Sequence, residues 1–445
     1  MTIPLDNLYH WIRGLVQHPV ILYVFRPHGS KDIFDLSPLD QAGDKMDLKD
    51  LMIPNIVCHD QEPLDYASHV WDHNLERISA WHSTTRSGRG YGRLDPITGL
   101  KMLFFYIENP VTNHGFTYLG INQWDCDWII LLHSEINSDD VEKFSHKKFL
   151  PVYYWCHAVL ARDWYRFAQH DVRLHQKNIK KTFLIYCRDW TPIREYRLKF
   201  LDLLLNANLL DDCHISTQHT STQGIHLKDY QIQDPRFVVD TVRLLSIPDN
   251  HSLATASADY NADDFVSTAL SVVLETVVDS KIHLTEKILR AIACGHAFVL
   301  VAGPGSLTYL RRYGFRTFGK VFDESYDAEK DTVTRLEKVI VTMQQVKNLS
   351  AAEWQEVNEI AAYNQSRFFS EDFANQVCDE LKSNLAPAVE FCMHNRGTLN
   401  WKMRKMARKN LLGKYLSHDM KTKNSIMNLR KQRLSWNRPG PGIIE

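Results

Sequence analysis

Ala269–Glu275 reads ALSVVLE, and His283–Gly314 reads HLTEKILRAIACGHAFVLVAGPGSLTYLRRYG. The first stretch is almost continuously apolar and of strand length, as in a strand buried on both faces of a parallel sheet. Leu284–Cys294 spaces its apolar residues as a helix, with Thr285, or the residue before it, near its start and Gly295 placed to end it. Ala297–Val301 is a second buried strand. The tight loop Gly303-Pro304-Gly305-Ser306 follows, with Ser306 expected to cap a helix over Leu307–Tyr313 that Gly314 terminates. Strand, helix, strand, loop and helix in this order are the rhythm of a doubly wound α/β domain.

Working outward, Lys181–Cys187 (KTFLIYC) is another buried strand, running into Arg188-Asp189-Trp190-Thr191-Pro192. Glu195–Leu210 follows as a helix with Leu198, Leu201, Leu205 and Leu209 at helical spacing. His214–Thr222 is rich in His, Ser and Thr and reads as a loop, and Phe237–Leu245 reads as a further strand. Upstream, Val20–Phe25, Ile53–Cys58, Lys101–Ile107 and Trp128–Leu132 are short apolar runs, each followed by polar residues. Ligand-binding loops leave the C-terminal edge of a parallel sheet in this way. Helices are expected over Val159–Asp171, Thr332–Lys347 and Ser350–Arg367, followed by the aromatic cluster Phe368, Phe369 and Phe373. The expected organisation is α/β with two Rossmann-like domains: an acceptor-side unit over 1–177, a donor unit over 178–385 and a basic helical arm over 386–445.

The 445 residues are 44% hydrophobic and 24% charged, which excludes wholesale disorder, a collagen-like repeat and a disulfide-stapled miniprotein. The net charge of -1 conceals a polarised chain. Residues 395–445 hold thirteen Lys and Arg against two acids, leaving the other 394 residues with 39 basic and 51 acidic side chains. An acidic body with a basic arm suits a polyanionic partner; a solvated helical tail or a lipid-facing arm fits the same composition. Eight scattered cysteines, none in a CxxC pair, fit a reduced compartment without a zinc knuckle. The first residues lack the basic flank and apolar core of a signal peptide, and no apolar run is long enough to span a bilayer. A cytoplasmic protein, in a host cytoplasm if viral, without integral membrane contact is the expectation.

Two clusters carry chemistry. Glu286 and Lys287 fall in the first turn of the helix begun by Thr285. A carboxylate there can accept two vicinal hydroxyls such as a ribose diol, while the lysine and the helix N–H groups attract phosphate. The residues equally suit a capped amphipathic helix in which Glu286 merely favours the dipole. Gly303, Gly305 and Ser306 would present backbone N–H groups to an anion. Arg188 ends a strand, with Arg194 and Arg197 close behind, and a guanidinium at that edge can fork onto two phosphate oxygens. For Arg197, an intrahelical salt bridge with Asp202 or Glu195 is the favoured reading.

Phe265–Phe315, above all HLTEKILRAIACGHAFVLVAGPGS, resembles the donor half of two-domain (GT-B) nucleotide-sugar glycosyltransferases, in particular fucosyltransferase-like members. The resemblance maps Glu286 onto the acidic residue that holds the ribose and Lys287 onto the neighbouring basic position. Gly303-Pro304-Gly305-Ser306 departs from the commoner single Gly-Pro step. The resemblance implies a nucleotide-sugar donor, a UDP-sugar first among them, and no essential metal. His69 and His73, Asp125 and Asp127, and Asp263-Asp264 are weak metal motifs beside it. Sugar transfer to a hydroxyl needs a base; Asp60 is the first choice, Glu62 the second and His59 an orienting partner, with Glu108 and Glu135 as competitors. Arg26 and His28 are expected to line the same region.

Basic residues interleaved with Trp401, Tyr415 and Trp436 suit phosphate neutralisation and base stacking. Lys402, Arg404, Lys405, Arg408 and Lys409 lead that arm, and Arg89 and Arg93 stand in a second basic, glycine-rich segment. Together with the donor motif these features resemble a bacteriophage DNA-modifying glycosyltransferase, which implies double-stranded DNA carrying a hydroxymethylated base such as hydroxymethylcytosine as acceptor. A cell-surface glycan or lipid-linked acceptor, and a nonenzymatic nucleic-acid-binding protein, are the alternatives.

Overall fold

A computed structural model describes residues 21–25, 55–59, 102–106, 128–144, 149–191, 193–221, 224–250 and 259–394. The chain divides into two units, one formed by 1–159 with 377–445 and the other by 160–376. Both contain parallel sheets, so the chain is mixed α/β. The sequence placed the division near 178 and a further boundary near 386.

In the first unit, β1 (Ile21–Phe25), β2 (Asn55–His59), β3 (Met102–Tyr106), β4 (Trp128–His133) and β5 (Phe149–Tyr153) form one sheet in the order β2-β1-β3-β4-β5. All neighbours pair in parallel. Ile130, Leu131 and Leu132 of β4 are completely buried, as expected for a strand covered on both faces. β5, for which the sequence reading made no provision, contains Pro151, which lacks an N–H; it occupies a sheet edge, where one side of the strand needs no ladder partner. Helices α1 (Asp139–Phe144) and α2 (Cys156–Trp164) flank β5 in sequence.

In the second unit, β6 (Lys181–Cys187), β7 (Cys213–Thr217), β8 (Thr268–Leu274) and β9 (Ala297–Val301) form a parallel sheet in the order β7-β6-β8-β9. The chain goes from β6 to one side for β7 and returns to the other side for β8. Strand order therefore reverses between β6 and β8, the position at which loops of open α/β sheets generally diverge around a ligand. Around the sheet run α3 (Tyr196–Asn206), α4 (Ala262–Val266), α5 (Glu286–Ala293), α6 (Ser306–Arg312), α7 (Thr332–Lys347) and α8 (Ala351–Phe369). Ser350 and Glu353 start α8 with a reciprocal capping box. α9 (Glu371–His394) leaves this unit and continues into the first, where Val377, Leu381 and Leu385 form a buried stripe and Asn384 Nδ2 donates to Tyr153 O at 3.1 Å.

Four local expectations are corrected. Cys213–Thr217 is a strand rather than part of a loop, its His and Thr tolerated because β7 is an edge strand. Residues 237–245 form no strand: Phe237 and Leu244 are buried singly, Val238 and Val242 face solvent, and a 3-10 turn spans Arg243–Ser246. The helix expected over 159–171 starts at Cys156, ends at Trp164 and gives way to 3-10 turns. Gly305, with φ +83°, is the N-cap of α6, and Ser306 lies inside its first turn.

Candidate functional site

The C-terminal ends of β6 and β8 are neighbours in the second sheet, so residues 188–197 and 275–287 leave the same edge. Glu275 directly follows β8, continues the ladder by donating its amide to Val301 O at 3.0 Å, and is completely buried. Its carboxylate accepts the Thr285 amide on Oε1 (3.0 Å) and the Thr285 hydroxyl on Oε2 (2.6 Å). Thr285 in turn caps α5, its Oγ1 accepting the Lys287 amide at 3.4 Å. Start of helix and end of strand are thus tied by one carboxylate.

Lys287 Nζ has three acceptors: Glu286 Oε1 at 2.9 Å, Thr285 Oγ1 at 3.1 Å and Thr276 Oγ1 at 3.3 Å. These match the three protons of an ammonium, and 28% of the side chain stays exposed. Glu286 is buried. Arg194, on the segment leaving β6, has a pKa below the ordinary guanidinium value, first because of burial and then because Arg197 adds a like charge; Asp189 and, more weakly, Glu286 oppose that shift. Arg194 Nη1 donates to Asp189 Oδ2 at 2.9 Å, and Asp189 Oδ1 accepts the Thr191 hydroxyl at 3.1 Å. Arg188 is exposed at the head of the same turn. The structure thus gathers Thr285, Glu286 and Lys287 at the start of α5, and Arg188 and Arg194 lie on the segment that leaves the neighbouring strand at the same sheet edge. Three cations and a buried carboxylate at a topological switch point can hold a polyphosphate and a diol.

Arg197 plays a different part from the one its position in the helix suggested. Its guanidinium bridges the two strand ends from within, Nη1 donating to Asp189 O (2.6 Å) and Nη2 to Leu274 O (2.9 Å) and Glu275 O (3.1 Å). The expected salt-bridge partners are otherwise engaged. Asp202 lies 3.7 Å from both Lys199 and Arg243, and Glu195 accepts the Gln233 and Asp234 amides at 2.7 and 2.8 Å. Arg197 is an internal brace.

The glycine turn also differs. The Gly305 amide donates to Asp327 O (2.8 Å), the Leu307 amide to Asp327 Oδ1 (3.0 Å), and the Ser306 amide and hydroxyl to Gly303 O (3.3 and 2.6 Å). Partial burial of Asp327 raises its pKa, while the amides of Leu307, Thr308 and Ser306 pull it back down. Two backbone carbonyls, Asp327 O and Gly303 O, therefore take the N–H groups that Gly305 and Ser306 were expected to offer a phosphate, and the Asp327 carboxylate takes the Leu307 amide. Gly303 serves close approach instead: a Cβ there would lie 2.1 Å from Lys281 O, so this residue seats the segment leading to Thr285.

In the first unit His59 ends β2, while Asp60, Glu62, Arg26, His28, Glu108, Arg89, Arg93 and the arm residues Lys402, Arg404, Lys405, Arg408 and Lys409 lie outside the described residues. Glu135, after β4, is buried and accepts the Ser138 hydroxyl. The Glu135 amide donates to His133 Nδ1 at 3.3 Å, which leaves the ring proton on Nε2; burial lowers the His133 pKa to about 3, so the ring is neutral.

Sequence reasoning passed over Glu275, Asp189 and Asp327. Only Glu275 left a signal, an acid closing an otherwise apolar strand. No protein-family model matches the chain, and no curated protein is detectably similar to it. No helix among the described residues is long and apolar enough to cross a membrane.

Proposed function

We propose that the chain is a glycosyltransferase that binds a nucleotide-sugar at the C-terminal edge of its second sheet. The observation that carries this reading is the Lys287–Glu286 pair at the start of α5, at the sheet edge where strand order reverses between β6 and β8 and from which the Arg188–Arg194 segment also leaves. Loss of a nucleoside diphosphate from the anomeric carbon builds negative charge on the leaving oxygens. Fixed cations lower that barrier, and guanidinium groups supply the charge without a metal. Arg188, Arg194 and Lys287 take the diphosphate, and Glu286 accepts the ribose hydroxyls.

The acceptor assignment rests on the sequence. The reading includes the GT-B plan with a basic C-terminal extension, Asp60 as base with Glu62 and His59 beside it, and a hydroxymethylated base in duplex DNA as acceptor. A hydroxyl in the major groove can be reached without flipping, whereas one inside the stack cannot.

Calorimetry with UDP and GDP, followed by mass spectrometry of unmodified and hydroxymethylated DNA incubated with UDP- and GDP-sugars, tests both halves. Glu286→Ala should weaken nucleotide binding about 10- to 100-fold, the value of one or two charge-assisted hydrogen bonds, with the fold intact. Unchanged binding in that variant sinks the donor assignment. Transfer to a glycan or lipid-linked acceptor but not to DNA replaces the acceptor.

A further inference from the structure

Lys287 is exposed enough to meet a ligand, yet its ammonium is held by groups that are themselves held. One of its three acceptors, Thr285 Oγ1, is itself hydrogen-bonded to the Glu275 carboxylate. That hydroxyl has a single proton, and the 2.6 Å contact to Glu275 Oε2 shows where it points. Its lone pairs consequently face Lys287 Nζ at 3.1 Å and the Lys287 amide at 3.4 Å. Glu275 also fixes the Thr285 backbone through the amide, and its own backbone carbonyl is fixed by Arg197 and by the Tyr196 hydroxyl. A relay of defined polarity therefore runs from the brace between β6 and β8, through the Glu275 carboxylate and the Thr285 hydroxyl, to the Lys287 ammonium.

We propose that Glu275 is a positioning residue for the donor site, acting through Thr285 to fix the polarity and location of the Lys287 ammonium. The proposal rests on the donor-site reading above for its functional consequence, and on geometry alone for the relay. Glu275 is completely buried and reaches Lys287 only through Thr285. Its negative charge beside the first turn of α5 also satisfies part of that helix's positive end, so attraction of a phosphate falls to the side-chain cations more than to the helix.

Replacement by glutamine shows why the carboxylate is required. The Thr285 amide is a donor and must keep an oxygen facing it, so the glutamine NH2 is turned onto Thr285 Oγ1. The hydroxyl then accepts from the glutamine and its proton swings outward, toward an ammonium that can only donate. The Lys287–Thr285 contact is lost although the shape of the site is preserved.

The test reads Lys287 directly and needs no knowledge of the donor. Competitive labelling of the full chain with acetic anhydride, followed by peptide mass spectrometry, gives the reactivity of the Lys287 amine across a pH series. Glu275→Gln and Thr285→Val should each raise that reactivity at least about threefold, by removing a nearby negative charge or the hydroxyl that anchors the ammonium. Thr285→Ser, which keeps the hydroxyl, should return it toward the wild-type value; a merely structural role for the side chain would not be rescued in this way. Calorimetry with UDP and GDP then reads the consequence, with affinity about tenfold weaker in Glu275→Gln. Labelling equal to wild type in Glu275→Gln overturns the relay, whatever the nucleotide result. Altered labelling together with a wild-type chain that binds neither nucleotide keeps the relay and overturns the donor-site reading on which its function depends.

Discussion

Arg197 ties the end of β6 to the end of β8, and Arg197→Leu removes that tie while leaving an apolar side chain of fair volume. Three carbonyls, of Asp189, Leu274 and Glu275, lose a charged donor at 2.6–3.1 Å. Each such bond contributes about 1.5 kcal/mol or more in mutational series. Against this, the variant no longer bears the cost of burying a guanidinium. Carbonyls left short of a donor cost about 1–3 kcal/mol each, so a net loss of about 3–5 kcal/mol is expected. Because the loss is local to one sheet edge, amide hydrogen exchange resolved by peptide is the suitable assay. The peptides covering 181–187, 268–274 and 284–293 should exchange roughly 100- to 1,000-fold faster, while β4 in the other unit keeps its protection. Arg197→Lys, which keeps the charge but not the fork, should fall between. Acceleration below about tenfold over β8 would mean that the strand ends are held by packing alone and would refute the brace.

Gly303→Ala should lower stability by about 3 kcal/mol, because the new Cβ must push the 279–281 backbone aside; thermal melting reads the loss. His214 lies 3.3 Å from Asp264, and the hydrogen bond to that carboxylate, ahead of the opposing effect of burial, raises its pKa. With the folded value above the unfolded one of about 6.5, its contribution is full below that pH and fades as pH rises through the folded value. Urea titrations between pH 6 and 9 should show that slope, and His214→Gln should flatten it. His296 behaves oppositely. Buried between Ser271 Oγ and Thr268 O, it is depressed to about 3, so its stabilisation is full above about pH 6.5 and is lost progressively down to about pH 3, by up to about 1.4 kcal/mol per pH unit. His296→Asn should remove that acid sensitivity in the same titrations.

Runs such as LSVVL in β8 and AFVLV in β9 announce strands buried on both faces, because no other element consumes continuous β-rich apolar text of that length. The starts of α5 and α8 were equally legible, since Thr285 and Ser350 are capping residues and act within four positions of themselves. The strand Cys213–Thr217 was hidden because an edge strand can be polar, and Pro151 obscured β5 for the same reason.

Within the candidate site, the residue types at 188, 194, 286 and 287 were set by sequence, and their chemistry could be read from charge and position along the chain. That their segments leave one sheet edge was decided only by the pairing of β6 with β8, a contact between positions nearly ninety apart, as was the bridging of both strand ends by Arg197, and the tie from Glu275 to Thr285 likewise appears only in the folded chain. Local propensity acts over a few residues, whereas the partner of a buried charge is chosen by whichever acceptor the folded chain carries past it.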